Sequence, residues 1–251
     1  MKSFKKGHGL NLEKLRSLLL QIRNDDDPMR RHEVTCFARA LRCDAQQIEV
    51  FDLLSGTPSG AELDRADLIL LGGSGDYSVA SEGQWLDRAL EGLRRLLDRN
   101  QPVFASCWGF QALARAAGGR VINNRELAEI GTLDLQLTPA GCEDPVFGPL
   151  GASFQVLGGH EDHVVELPTD AVLLASSRTV ANQAYRFAGR PIYCTQFHPE
   201  LRREDLLLRL RTYPRYVEEV AKMPYEEFVR TCQDTPQAES LLPRFVETVF
   251  S

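Results

Sequence analysis

The 251-residue sequence has six cysteines but no Cys-x-x-Cys pair, no apolar run approaching ~20 residues, and no excess of positive charge. Each absence removes a class of function. Cys36, Cys43, Cys107, Cys142, Cys194 and Cys232 are scattered, which fits reduced thiols better than a disulfide frame or zinc ribbon; all except Cys107 read as packing residues. Without a spanning segment a membrane partner is not expected. Met1 to Lys14 is polar and lacks the apolar centre of a signal peptide, so the cytoplasm is the expected compartment. With 29 basic against 35 acidic residues and a net charge of -6, the chain is not expected to bind nucleic acid. Its 43% hydrophobic content is enough for one sizeable core.

Short apolar runs alternate with amphipathic segments. Strands are expected at Leu18 to Ile22, Ile48 to Leu53, Leu68 to Leu71 and Val103 to Ala105. Helical spacing of Val34, Phe37, Ala38 and Leu41, and of Trp85, Leu86, Ala89, Leu90, Leu93, Leu96 and Leu97, places helices between them. This α/β alternation predicts a mostly parallel sheet flanked by helices, with ligands at the carboxyl ends of its strands. Between Gly131 and Pro199 the alternation in Thr132 to Leu137, with candidate strands at Phe154 to Leu157, Val172 to Ala175 and Ala184 to Phe187, predicts a small antiparallel section. The 51 residues after Glu200 read as a helical tail broken by Pro214, Pro224, Pro236 and Pro243, packed on the same domain or forming a docking surface. The expected division is an N-terminal extension over 1–16, whose Lys2, Lys5 and Lys6 suggest a disordered end, a main domain over 17–201 and the helical extension over 202–251.

Three segments carry chemistry. Val103-Phe104-Ala105 leads through Ser106 into Cys107-Trp108-Gly109-Phe110-Gln111, the layout of a strand-to-helix turn that holds a nucleophile over the sheet edge. There the positive end of the helix dipole supports an attacking anion. Gln196-Phe197-His198-Pro199-Glu200 places an imidazole two residues from a carboxylate; Pro199 disfavours a helical His198, so an extended segment is expected, with both side chains on one side. Leu68 to Leu71 runs into Gly72-Gly73-Ser74-Gly75, which lacks the Lys-Ser/Thr of a phosphate-binding loop and reads better as an oxyanion hole made by the amides of Gly73 and Trp108. His160-Glu161-Asp162-His163 could be read as metal ligands, but no further partner is apparent and no metal is expected. Asp25-Asp26-Asp27 reads as a solvated turn before Pro28.

In this order, the Gly-Gly loop, the Cys-x-Gly-x-Gln and the Gln-Phe-His-Pro-Glu resemble the class I glutamine amidotransferases over roughly residues 17 to 201. Gly159 to Val164 and Asn182 to Arg186 look most like the amidotransferase domain of GMP synthase. Ala105 stands where the family has Gly, and Ser74 where it has Pro in Gly-Gly-Pro. The resemblance implies a flavodoxin-like fold and a catalytic triad of Cys107, His198 and Glu200, with Gln111 and His160 against the substrate. It also implies hydrolysis of L-glutamine through a cysteinyl thioester without a cofactor, with ammonia going to a separate synthetase. Two alternatives stay open: hydrolysis of other γ-glutamyl amides or peptides, and a non-catalytic regulatory or binding role.

Overall fold

A computed structural model describes residues 15–251; the expected disordered end at Lys2, Lys5 and Lys6 lies outside the described residues. In chain order the strands and α-helices are β1 (Ser17–Gln21), α1 (Met29–Leu41), β2 (Ile48–Asp52), α2 (Gly60–Arg65), β3 (Leu68–Leu71), α3 (Gln84–Leu97), β4 (Val103–Ser106), α4 (Trp108–Ala116), β5 (Arg120–Asn123), β6 (Glu129–Leu137), α5 (Pro139–Glu143), β7 (Ser153–His160), β8 (Asp162–Glu166), β9 (Ala171–Ser177), β10 (Ala184–Phe187), β11 (Ile192–Thr195), α6 (Arg203–Thr212), α7 (Tyr225–Thr231), α8 (Pro236–Glu239) and α9 (Leu241–Phe250), with a π-helical turn at Tyr216–Ala221 between α6 and α7.

Nine strands form one sheet in the order β2-β1-β3-β4-β11-β10-β9-β6-β7. The first five are parallel, and β10, β9, β6 and β7 continue the same sheet antiparallel. The expected antiparallel section is therefore joined to the main sheet through the β10–β11 ladder, and β5 and β8 form a separate two-stranded ribbon.

β3 shows why its sequence is apolar without alternation. Ile69 and Leu71 pack with α3 and α4 on one face, while Leu68 and Leu70 pack with Phe37 of α1 and Phe245 of α9 on the other. A strand covered on both faces has no solvent side on which to place polar residues. α3 buries Leu86, Ala89, Leu90, Leu93, Leu96 and Leu97, the stripe read from the sequence.

The C-terminal extension completes this core. Phe245 meets Phe104 edge-on at 5.3 Å and Tyr193 at 5.5 Å. Pro243 does not break a helix here: it is the third residue of α9, within the first turn, where a backbone N–H has no intrahelical acceptor to lose. Among the described residues no helix is long and apolar enough to cross a membrane.

Candidate active site

β4 ends beside β3 and β11, and the chain turns at Cys107 directly into α4. Cys107 has φ 51° and ψ −104°, a conformation an L-residue adopts only when its surroundings enforce it. The Cys107 amide donates to the Thr195 carbonyl at 2.8 Å, and the Gly109 amide donates to the Gly72 carbonyl at 3.1 Å, so the turn is tied to both neighbouring strands. Glycine is required at 109 because a Cβ there would stand 2.4 Å from the Leu71 Cβ. The Sγ of Cys107 lies 3.8 Å from the Gly159 carbonyl, at the floor of the cleft.

His198 and Glu200 follow β11, but not in an extended chain. The Leu201 amide donates to the His198 carbonyl at 3.2 Å, so Pro199 and Glu200 form the centre of a turn. Proline suits the first central position of such a turn, so it is the turn after His198, rather than an extended run through Glu200, that brings the two side chains together. The intended pairing survives: His198 Nδ1 lies 2.6 Å from Glu200 Oε1, and both residues are buried. Burial opposes charge on the imidazole, but the attraction of Glu200 and Cys107 outweighs it and raises His198 to about 9. Burial likewise opposes charge on Glu200, and attraction to His198 and Arg209 keeps its pKa below the ordinary value.

The glycine loop needs a correction. The Gly73 amide, expected as an oxyanion donor, donates instead to Glu33 Oε1 at 3.1 Å. Glu33 is fully buried, accepts from Gln21 at 2.9 Å and pairs with Arg23 at 3.2 Å, so the amide is drawn into a charged network beneath the loop. Gly73 remains close to the site by its Cα: a Cβ added there would stand 2.9 Å from His198 Cε1. The Trp108 amide, at the first position of α4, has no acceptor within its helix. Asp27 is not solvated either; its carboxylate is buried against Arg23 at 3.0 Å and accepts from the Tyr213 hydroxyl at 2.7 Å.

Gln111 lines a cavity of about 200 Å³ above Cys107. Its amide nitrogen donates to the Asp162 carbonyl at 3.0 Å and to Gln196 Oε1 at 3.2 Å. His160 lines the same cavity, but its Nδ1 faces the Asp162 carbonyl and its Nε2 faces Glu129, both at 3.1 Å. Neither ring nitrogen is left for a ligand, so His160 holds the wall in place. His163 Nε2 lies 3.0 Å from the Asn124 carbonyl, and burial keeps this imidazole below its ordinary pKa.

The cavity also contains Arg125 and Arg215, not singled out in the sequence, beside Glu161, which was read there only with the possible metal-ligand segment. Glu161 is 9% exposed and lies 3.1 Å from Arg125 and 3.3 Å from Arg215, yet its Oε1 has no aligned hydrogen-bond donor. One carboxylate between two guanidinium groups can hold the ammonium and carboxylate of an α-amino acid. These residues are far apart in the chain, and only the His160 to His163 segment hinted at them.

Among the other cysteines, Cys36, Cys194 and Cys232 are buried as expected, Cys43 is half-buried, and Cys142 is exposed rather than a packing residue. His32, Cys36 and Asp205 offer three ligand atoms within 4.8 Å of one another. Burial raises the Cys36 thiol to about 12, and Asp205 is already paired with Arg39, so this donor set suits an ion pair better than a metal.

Comparison with known proteins identifies the family. Over 147 residues the chain is 32% identical to a glutamine-hydrolyzing GMP synthase subunit of Thermoplasma acidophilum, covering 56% of this chain and 66% of that one. It is 29% identical over 169 residues to gamma-glutamyl peptidase 3 of Arabidopsis thaliana, covering 65% and 66%. It thus spans just under two thirds of the length of these two relatives. The crystal structure of a glutamine amidotransferase from Thermotoga maritima superposes with a TM-score of 0.74 at 20% identity over 95% of this chain and 99% of that one, which speaks to the fold. The family model for class I glutamine amidotransferases matches residues 34–206, from α1 through β11 to the start of α6, and the chain belongs to that family.

Proposed function

We propose that this protein hydrolyses the side-chain amide of L-glutamine through a thioester on Cys107, releasing glutamate and ammonia. The observation that carries the reading is the buried His198–Glu200 pair, 2.6 Å apart, beside a cysteine held at φ 51° on the end of a sheet strand. The substrate's α-ammonium group sits against Glu161 and its α-carboxylate against Arg125 and Arg215, which presents the amide carbon to Cys107. The Sγ–C bond forms while the Trp108 amide donates to the developing oxyanion. His198 gives its proton to the leaving nitrogen, the C–N bond breaks, and ammonia departs. A water molecule then attacks the thioester, His198 takes its proton, and the Sγ–C bond breaks to free glutamate. Glu200 holds the ring in place through its charged and neutral forms and stabilises the imidazolium at either end of the cycle, and no step requires a cofactor.

Ammonia formed here is a reagent for an amination elsewhere, and a separate synthetase of the kind that uses a glutaminase subunit is the proposed acceptor. The six free thiols suit a reducing compartment, and we place the activity in the cytoplasm. A second reading, hydrolysis of larger γ-glutamyl amides, is favoured by a further cavity on the His198 side of Cys107. Glutamate release from L-glutamine, compared between wild type and Cys107→Ala, tests the first reading. Turnover must vanish in the variant, and turnover that survives refutes the thioester.

A further inference from the structure

Cys107 lies at the junction of two cavities. The larger, with Gln111 and Glu161, fits the glutamyl half of a substrate. The smaller, about 50 Å³, contains His198. A general acid stands beside the atom it protonates, so the group expelled from the acyl carbon leaves into the cavity that holds His198. Much of that cavity's wall comes from the chain after Glu200: Leu201, Leu206, Arg209, Leu210 and Tyr213.

Arg209 is the unusual member of this wall. It is 6% exposed, and its Nε and Nη2 are buried with no hydrogen-bond partner. A guanidinium does not shed its proton, so these donors are held ready for an acceptor. Glu200 attracts Arg209 without hydrogen bonding to it, whereas Arg23, on the same cavity, is already saturated by Glu33, Asp27 and Tyr213. Arg209 therefore has directed donors to offer and Arg23 does not. Bidentate guanidinium donors match a carboxylate. A volume of about 50 Å³ holds about four water-sized positions, the count of heavy atoms in the methylene and carboxylate of glycine.

We propose that Arg209 binds the carboxylate of the leaving group, so that the site cleaves γ-glutamyl dipeptides whose second residue is a small α-amino acid. The inference rests on the Cys107 acyl-transfer reading above. Sγ bonds to the γ-carbonyl carbon as the bond to the peptide nitrogen breaks, and His198 protonates that nitrogen, releasing the free amino acid. Water then displaces Sγ to give glutamate, its proton passing to His198. The leucines line the cavity around the departing chain, and its small volume suits a small second residue.

Steady-state kinetics on γ-glutamylglycine, γ-glutamylglycinamide, γ-glutamylmethylamide and L-glutamine test this. Wild type should favour the free acid over its amide by 10-fold or more in kcat/KM, about what one charge-assisted contact gives. This comparison needs no variant to fold. Arg209→Met should lower the ratio of γ-glutamylglycine to γ-glutamylmethylamide turnover by a similar factor, chiefly through KM, with partial recovery in Arg209→Lys. Glutamine turnover without any preference for the free acid overturns the Arg209 subsite and leaves the acyl-transfer reading standing. Equal losses on all substrates in Arg209→Met also overturn it, showing that Arg209 acts through Glu200. No turnover of any of the four refutes the acyl-transfer reading itself.

Discussion

Glu200→Gln removes one charge from the site while keeping its volume and an acceptor for His198 Nδ1, which makes it a clean test of what sets the proton on the imidazole. Burial is the largest influence on His198 and opposes its charge; Glu200 and Cys107 raise it to about 9 against an ordinary value of 6.5. Without the Glu200 charge the largest force opposing burial is lost, and the imidazole falls back toward its ordinary 6.5. The protonated form at pH 8 then drops from nearly complete to a few per cent, a loss of about 30-fold in kcat/KM, with far smaller loss near pH 6. The assay is the pH profile of glutamate release from L-glutamine for both proteins. The substrate's own ammonium titrates equally in each, so the reading is the displacement of the upper limb. An unmoved limb would show that Glu200 does not control the proton and would refute the argument.

The same shift predicts a pH-dependent stability. Because the folded-state pKa lies above the ordinary one, the contribution is full below about 6.5 and is lost as pH rises through about 9. At ~1.4 kcal/mol per pH unit this amounts to about 3 kcal/mol. Urea unfolding from pH 6 to 10 should show the decline in wild type, and Glu200→Gln should flatten it. Gly73→Ala places a methyl 2.9 Å from His198 Cε1, and displacing the imidazole by a fraction of an ångström should cost about 10- to 100-fold in kcat with little change in melting temperature. Glu33→Gln leaves the buried Arg23 with Asp27 as its remaining carboxylate, and should destabilise the protein by about 3 kcal/mol in chemical denaturation, an unchanged midpoint being the refuting result. Phe245→Ala opens a cavity against Phe104 and Tyr193 and should cost about 3 to 5 kcal/mol; a near-zero effect would mean that α9 is not part of the core.

The parallel half of the sheet and the positions of Cys107, His198 and Glu200 were legible because each depends on a few consecutive residues. An apolar run, or a small residue at a strand-to-helix turn, states its conformation locally. What could not be read depends on who the neighbours are. The Gly73 amide turns to Glu33 because a buried carboxylate 40 residues upstream happens to lie beneath it. Asp27 looked like a solvated turn because nothing near it in sequence reveals Tyr213, which comes from the far end of α6. Pro243 was read as a breaker because its effect depends on its place in the helix, and as the third residue of α9 it falls within the first turn.

The segment after Glu200 shows how packing and specificity can share residues. One face of α6, through Leu206, Leu207 and Leu210, joins a cluster that includes Cys36 of α1 and Leu157 of β7, and so fixes the helix against the sheet. Asp205 on the same helix is locked by Arg39 and His32 of α1, which prevents α6 from rotating about its axis. With the helix held at these points, Arg209 has no room to reach bulk water and is left with buried, unpartnered donors beside the Glu200 that orients His198. A side chain retained in so costly a position, in a cavity that opens onto the nucleophile, argues that the extension shapes the leaving-group side of the site. Loosening α6 by Asp205→Asn should therefore alter the preference among leaving groups more than the affinity for the glutamyl half. Parallel shifts in KM for L-glutamine and γ-glutamylglycine would contradict that division of the site.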